Sequence, residues 1–569
     1  MSTRLIKNAA LFCFLSFLAL LVFLTSSGPL DAYHEGAIFP PGVAVADGLT
    51  IYKEVNHQYG FLHIYINAFV FNLVGNQLFA YRLIGLAIAL VNAFTLFLIL
   101  RRFSSRSLAA VFSSSTLLIS PAWSYTDSQT LGTIGPWPNI YGLTLTLISI
   151  YLLWRVTQER GNVFLIFLSA LFSTLSIGSR IQFIAVVLFQ TLLIIGLAFR
   201  HRVRFNVLLN WILGVAIGMS SLILTLWSQG ILDDAFEQLL FVWTLETPNS
   251  PHLGPIDFLR SLALILFFAV VSYILWFFSR KRAKSLGFVV VLLGIFLLYA
   301  LQNFTDFLSL FPADLARIMN HSLAQALFSI AVVFVTTFLV MTANDTIKLA
   351  RKLPTGSLQS IDPFFLFLSA TCFGMLFQFH NVNGPYLWMC IHPFIAWYVL
   401  RFNSSTNSGL FSHALSSARS YMVFAIMASM SLAAFKVDFE RFSYSTPMLS
   451  GIYEYEQEKQ VFVDENFSFL RSLDQFGKLR LDCSAGIYSV DERGYALDSK
   501  WTWNEIPFSW RKENIESSIP GHTLVVCNPD ERWSGIYSEL QTGGYLEFIT
   551  SNNYLTAYRV IKLPKISSY

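Results

Sequence analysis

The chain places two carboxylates and an imidazole together in Asp31-Ala-Tyr-His34-Glu35-Gly36, immediately after a hydrophobic run. A charge held near hydrocarbon costs roughly 2.5–3.5 kcal/mol on insertion scales, so charges there are retained for a purpose. Asp31 and Glu35 are spaced i, i+4, which puts both carboxylates on one helical face. One carboxylate of such a pair can take the proton of an acceptor hydroxyl or amine while the other steers geometry or a metal. The competing reading is a helix N-cap with an acid in its first turn. Within the following stretch stand Glu54, His57 and Tyr59, further candidates for substrate contact. His34, His57 and Glu54 are compatible with a divalent metal site shared with Glu35, although no H-x-x-x-H spacing supports one.

Other candidates are scattered. Asp127 lies in a Pro/Gly-rich loop, where Asp also simply makes turns. Arg180, at the junction of two long apolar runs, suits a lipid phosphate, with headgroup snorkelling as the alternative. His252 and His380 offer substrate or divalent-metal contacts, or plain hydrogen bonds.

The elements that position these residues are set by composition. Over 569 residues the chain is 54% hydrophobic and 13% charged, against about 25% charged in soluble domains, which implies a polytopic membrane protein. Apolar segments long enough to cross ~30 Å recur near 8–26, 80–100, 107–124, 139–156, 163–179, 181–199, 207–228, 258–279, 285–302, 318–341, 363–379, 385–400 and 419–436. The run 163–199 is too long for one span, and Gly178-Ser179-Arg180 is expected to turn it. Residues 60–78 are apolar but carry His63, Asn67 and Asn72. If they lie along the interface, the clusters around Arg101–Arg106, Arg155–Arg160, Arg200–Arg204, Arg280–Lys284, Lys348–Lys352 and Arg401–Arg419 all join Arg4 and Lys7 on the cytoplasmic side. If they cross, every later cluster flips outward.

The expected fold is therefore an α-helical polytopic membrane protein of about 13 transmembrane helices. Its parts are a membrane domain over 1–436, with interfacial helices around 33–78, and a small exoplasmic α/β or α+β domain over 437–569. The first span is read as uncleaved, with a cytoplasmic N-terminus, because no A-x-A-like site precedes Gly28. HTLVVCNP and YLEFITSNNYLTAYRVIKL, the latter with a Ser-Asn-Asn turn, predict strands and a hairpin. Cys483 and Cys527 are placed to form one bridge in an oxidising compartment. Sequons occur at Asn303 and Asn466.

In order along the chain, the acidic motif Asp31–Glu35, the Lys53-Glu54 pair, Tyr59-Gly60, Leu73-Val-Gly75 leading to Arg82-Leu83, Arg101-Arg102-Phe103, Asp127 and Arg180 resemble the glycosyltransferase-C superfamily. The likeness is to polyprenyl-phosphate-sugar transferases similar to protein mannosyltransferases and the lipid A aminoarabinose transferase. It covers roughly residues 1–260 by motif order, and the remainder by layout. It implies a donor of polyprenyl-phosphate-linked sugar, a lipid, glycan or protein acceptor, Asp31 as catalytic base with Glu35 assisting, and Arg180 on the carrier phosphate. Two departures stand out. The family's adjacent Asp-Glu is spread here as D-x-x-x-E, and its Glu-Lys-Pro element is absent around Lys53-Glu54.

The expected activity is transfer of a sugar on the exoplasmic face, in a bacterial inner membrane, with membrane lipids but no nucleic acid as partners. No cofactor is required by the sequence, and a divalent metal stays open. An O-antigen ligase or polymerase would carry its Arg and His in a large late loop. A transporter would place ionisable residues within its spans and show related halves. A non-catalytic scaffold would act through its tail.

Overall fold

The computed structural model describes residues 27, 28, 30, 34–101, 106, 109–110, 113, 138–158, 162–199, 205–244, 442–454, 457–482, 486–490, 515–516, 518–527 and 531–563. The spans expected at 8–26 and from 258 to 436 lie outside the described residues, as does most of the one at 107–124.

Helix α1 (His34–Ala46) contains Pro40 and Pro41 and packs against α2 (Leu62–Val74). The approach is close at Gly42, where an added Cβ would stand 3.0 Å from the Phe71 ring and 3.1 Å from Asn67 Cβ. At about 1.5 Å per residue, α2 is roughly 20 Å long, short of the ~30 Å hydrocarbon core. Its polarity is inverted relative to a soluble surface helix. His63 and Asn67 are buried, whereas Phe69, Leu73 and Val74 are more than half exposed.

Among the described residues three helices are long and apolar enough to cross a membrane: α3 (Leu78–Leu100), most of α4 (Pro138–Gln158) and α7 (Phe205–Ser228). Exposed Leu209, Leu213, Ile217, Leu224 and Trp227 give α7 an apolar outer face that water would penalise and lipid would not. Helix α5 (Val163–Leu175), capped by the Asn162 side chain on Phe164 N, packs on α7 through a small-residue seam. The seam is Gly214-Val-Ala-Ile-Gly218: a Cβ on Gly214 would meet Phe167 O at 2.5 Å, and one on Gly218 would meet Thr174 Cβ at 2.7 Å. Small residues four apart let two helix backbones approach where no hydrophobic drive separates helix from lipid. The predicted break falls where expected. Two short 3₁₀ turns, Ser176–Gly178 and Ile181–Phe183, flank Arg180 and lead into α6 (Ile184–Phe199). Helix α8 (Leu232–Thr244) follows α7 after a turn at Gly230.

Residues from 442 onward form a different kind of structure. Strands β1 (Phe442–Ser443) and β2 (Tyr453–Glu454) pair antiparallel and precede helix α9 (Gln457–Ser472). Strands β3 (Leu479–Asp482), β4 (Thr523–Cys527), β5 (Leu546–Ser551) and β6 (Leu555–Val560) form a mixed sheet ordered β3-β4-β6-β5, with α10 (Glu531–Thr542) between β4 and β5 in sequence. The β5–β6 hairpin turns at the expected Ser-Asn-Asn, where Asn552 Oδ1 accepts from the backbone of Tyr554 and Leu555. Cys527, ending β4, is disulfide-bonded, and Cys483 lies outside the described residues. The Asn466 sequon is buried: its amide donates to the Tyr488 hydroxyl, and its carbonyl accepts from Asn552.

The membrane-side helices and these strands share one hydrophobic core. Ile38, Phe39, Phe71 and Tyr81 belong to the same cluster as Met448, Leu449, Phe467, Leu481 and Tyr488. The turn Gly486–Ser489 packs on α1, and Tyr453 N donates to Ser27 O at 2.8 Å.

Candidate active site

Glu35 occupies the first turn of α1 and is 2% exposed. Its two oxygens accept from Arg82 of α3, Oε1 from Nε at 2.6 Å and Oε2 from Nη2 at 2.7 Å. Arg82 Nη1 also donates to Gly28 O at 2.6 Å. This is a fully desolvated bidentate pair, and its strength comes from geometry and from hydrogen bonds filling both groups. Arg82 thus ties the start of α1 to the segment that precedes Asp31. Both oxygens of Glu35 are thus engaged by a residue of another helix. Asp31 itself lies outside the described residues, as do Asp127, His252 and His380. His34 begins α1, and its side chain is outside the described set.

A second group forms where the loop after α1 crosses the break between α5 and α6. Gly60 N donates to Ser179 O at 3.1 Å, and a Cβ on Gly60 would stand 2.2 Å from Gly178 O. Only glycine permits that crossing. It brings two residues singled out in the sequence together: the Arg180 guanidinium lies over the Tyr59 ring, 5.4 Å from its centroid. Arg180 Nη1 donates to Asn139 Oδ1 at 2.7 Å, at the start of α4. The guanidinium plane is therefore fixed on one side by an aromatic face and at one edge by an amide. A planar fork of N–H donors held this way suits phosphate oxygens.

His57 belongs to the same neighbourhood, its ring meeting the Tyr59 ring edge-on. Its Nε2 is 3.1 Å from Nε2 of His63, and both rings are buried. Burial pushes His57 down to about 3 and His63 well below the ordinary imidazole range, His57 itself adding to the latter. Both are neutral, one donating to the other. His63 also tilts against Tyr141, whose hydroxyl donates to Asn67 Oδ1. The His57 backbone N–H donates to Gln238 Oε1 on α8 at 2.8 Å. Three buried polar atoms around this network have no hydrogen-bond partner among the described residues: His63 Nδ1, Asn67 Nδ2 and Ser179 Oγ. Such atoms cost about 1–3 kcal/mol each unless water or a ligand reaches them.

Glu54 is exposed, its Oε2 accepting from Thr50 N at 2.6 Å across a tight turn. Glu35 is bonded to Arg82, Glu54 to Thr50 and His57 to His63, while the fourth residue offered for a shared metal site, His34, has its side chain outside the described set. No cluster of three metal-ligating side chains occurs among the described residues. Sequence reasoning missed the pairing role of Arg82 and the parts played by Asn139, Tyr141 and Gln238. An arginine five residues into an apolar helix was the available signal for the first, since a charge there demands a partner.

No family model and no curated protein matches the chain. Two solved structures are similar to it over almost their whole length with little sequence in common. ArnT from Cupriavidus metallidurans in the apo state aligns over 97% of this chain and 98% of its own, at 11% identity and a TM-score of 0.41. The same protein bound to undecaprenyl phosphate aligns over 97% and 98%, at 12% identity and a TM-score of 0.37.

Proposed function

We propose that this chain is a membrane glycosyltransferase that moves a sugar from a polyprenyl-phosphate carrier to an acceptor hydroxyl or amine on the exoplasmic face. The observation that carries the proposal is the oriented guanidinium of Arg180, fixed by Tyr59 and Asn139 at a break between two apolar helices. A lipid phosphate at that depth needs a preorganised cation more than a mobile one. As the bond from the anomeric carbon to the phosphate oxygen breaks, negative charge grows on the phosphate, and a fixed N–H fork stabilises it without reorganising. The acceptor loses its proton to Asp31, and the lipid phosphate leaves toward the bilayer. Glu35 is assigned the positioning part, because Arg82 takes both its oxygens. For a divalent metal, His252 and His380 are the ligands on offer.

The exoplasmic orientation is supported by the basic clusters that gather on one side when α2 lies along the interface, and by the short length of α2. It is supported further by the disulfide at Cys527, since such bonds persist in oxidising compartments. A bacterial inner membrane satisfies both.

The test mixes the purified full chain with radiolabelled polyprenyl-phosphate sugars and candidate lipid, glycan and peptide acceptors, beside Asp31→Asn. Transfer by the parent chain, reduced about a thousandfold or more in Asp31→Asn, is expected for loss of a general base plus its positioning. Undiminished transfer by Asp31→Asn removes the base. No consumption of any lipid-linked sugar removes the transferase.

A further inference from the structure

Gln238 is a buried amide on α8, far in sequence from the loop it serves. Every polar atom of its side chain is engaged with that loop. Oε1 accepts from His57 N at 2.8 Å, and Nε2 donates to Tyr52 O at 2.6 Å and to Asn56 Oδ1 at 3.1 Å. Tyr52 holds φ +66°, a left-handed conformation that a bulky residue adopts only when its surroundings impose it. Here the surroundings are explicit. The Tyr52 carbonyl is taken by Gln238, its N–H donates to Val55 O at 2.7 Å, and its hydroxyl donates to Tyr59 O at 2.6 Å. The strained turn thus reaches over seven residues to grip the backbone of Tyr59. The His57 ring meets the Tyr59 ring edge-on at 5.5 Å, and its Nε2 is hydrogen-bonded to His63. Tyr59 in turn presents its face to Arg180.

We infer that Gln238 and His57 are positioning residues for the anion-binding guanidinium: through Tyr52 and Tyr59 they set the plane of Arg180, and with it the affinity for the phosphate of a polyprenyl carrier. This rests on the proposed role of Arg180 as phosphate holder. Strain held at Tyr52 supports it, because Gln238 is the distant member of the three contacts that hold this disfavoured conformation, and its loss leaves only the loop's own bonds. A merely structural Gln238 would lower stability without its effect depending on Arg180.

The experiment measures binding of decaprenyl phosphate to the full chain in nanodiscs for the parent, Arg180→Gln, Gln238→Met and the double variant, with the unfolding temperature of each. The cation–aromatic contact that Gln238 is inferred to orient is partly buried, and its loss in Gln238→Met is expected to weaken binding up to about tenfold. Arg180→Gln should weaken it more, and the double variant should match Arg180→Gln alone, since there is no guanidinium left to orient. Where Gln238→Met fails to accumulate, Tyr59→Leu replaces it with the same expectation, and Tyr59→Phe, which keeps the ring, should recover binding. Parent-like affinity in Gln238→Met, or losses that multiply in the double variant, overturns the positioning role while leaving Arg180 in place. Unchanged affinity in Arg180→Gln overturns the phosphate holder, and the positioning role with it.

Discussion

Arg82 and Glu35 meet in a doubly hydrogen-bonded pair with side-chain exposures of 0% and 2%, 47 residues apart in sequence. A third bond from the same guanidinium reaches Gly28 O, so one side chain spans both ends of the segment that contains Asp31. The pair joins α1, α3 and the backbone at Gly28.

Breaking that pair should cost far more than replacing it. Arg82→Met or Glu35→Leu alone leaves a buried charge unmatched and is expected to lower stability by about 3–5 kcal/mol, whereas the double variant should recover a large part of the loss. Thermal unfolding of the four proteins checks this, and additive losses in the double variant would contradict it.

Acid should loosen the loop through its histidines. His57 falls from 6.5 to about 3 on folding, so between those values the unfolded chain binds a proton that the folded one refuses. Stability is present above pH 6.5 and declines as pH falls toward 3, by about 1.4 kcal/mol per unit for one such group. His63 shifts in the same direction. Unfolding temperatures from pH 7 to pH 4 should fall less steeply in His57→Phe than in the parent; parallel slopes would be the contrary result.

Gly60→Ala should separate the loop from the helix break. The new methyl would meet backbone at 2.2 Å and cannot be accommodated by turning a side chain. Gly48→Ala meets nothing within 4 Å and is strained only by its φ of +94°, a cost of about 1 kcal/mol. Loss of lipid-phosphate binding in Gly60→Ala and near-parent binding in Gly48→Ala is expected, read by the same titration.

Cys527 should resist a maleimide until the protein is reduced, and label afterwards. Mass spectrometry of protein taken directly from membranes, alkylated before and after reductant, gives the answer; labelling without reductant would remove the disulfide and its support for an oxidising compartment.

Several features were legible because they are local. Gly178-Ser179-Arg180 announced a break in an over-long apolar run, and the Ser-Asn-Asn turn announced a hairpin, since both depend on a few adjacent residues. The pairing of Tyr59 with Arg180 was half legible: each residue stood out, but their contact is made by a glycine crossing with no spacing rule. Helical periodicity put Asp31 and Glu35 on one face, but it could not supply Arg82, which reaches Glu35 from another helix. Gln238 carried no signal, because a neutral amide in an amphipathic helix has the same spelling whether it faces water or a strained loop.

The bond from Tyr453 N to Ser27 O joins points about 430 residues apart. A ribosome adding about 5–20 residues per second needs roughly 20–90 s to make the second after the first. Throughout that interval the exit of the first hydrophobic run, and the acid-bearing segment behind it, lacks its final neighbour. That contact therefore closes only after β2 has been made, late in synthesis of the chain.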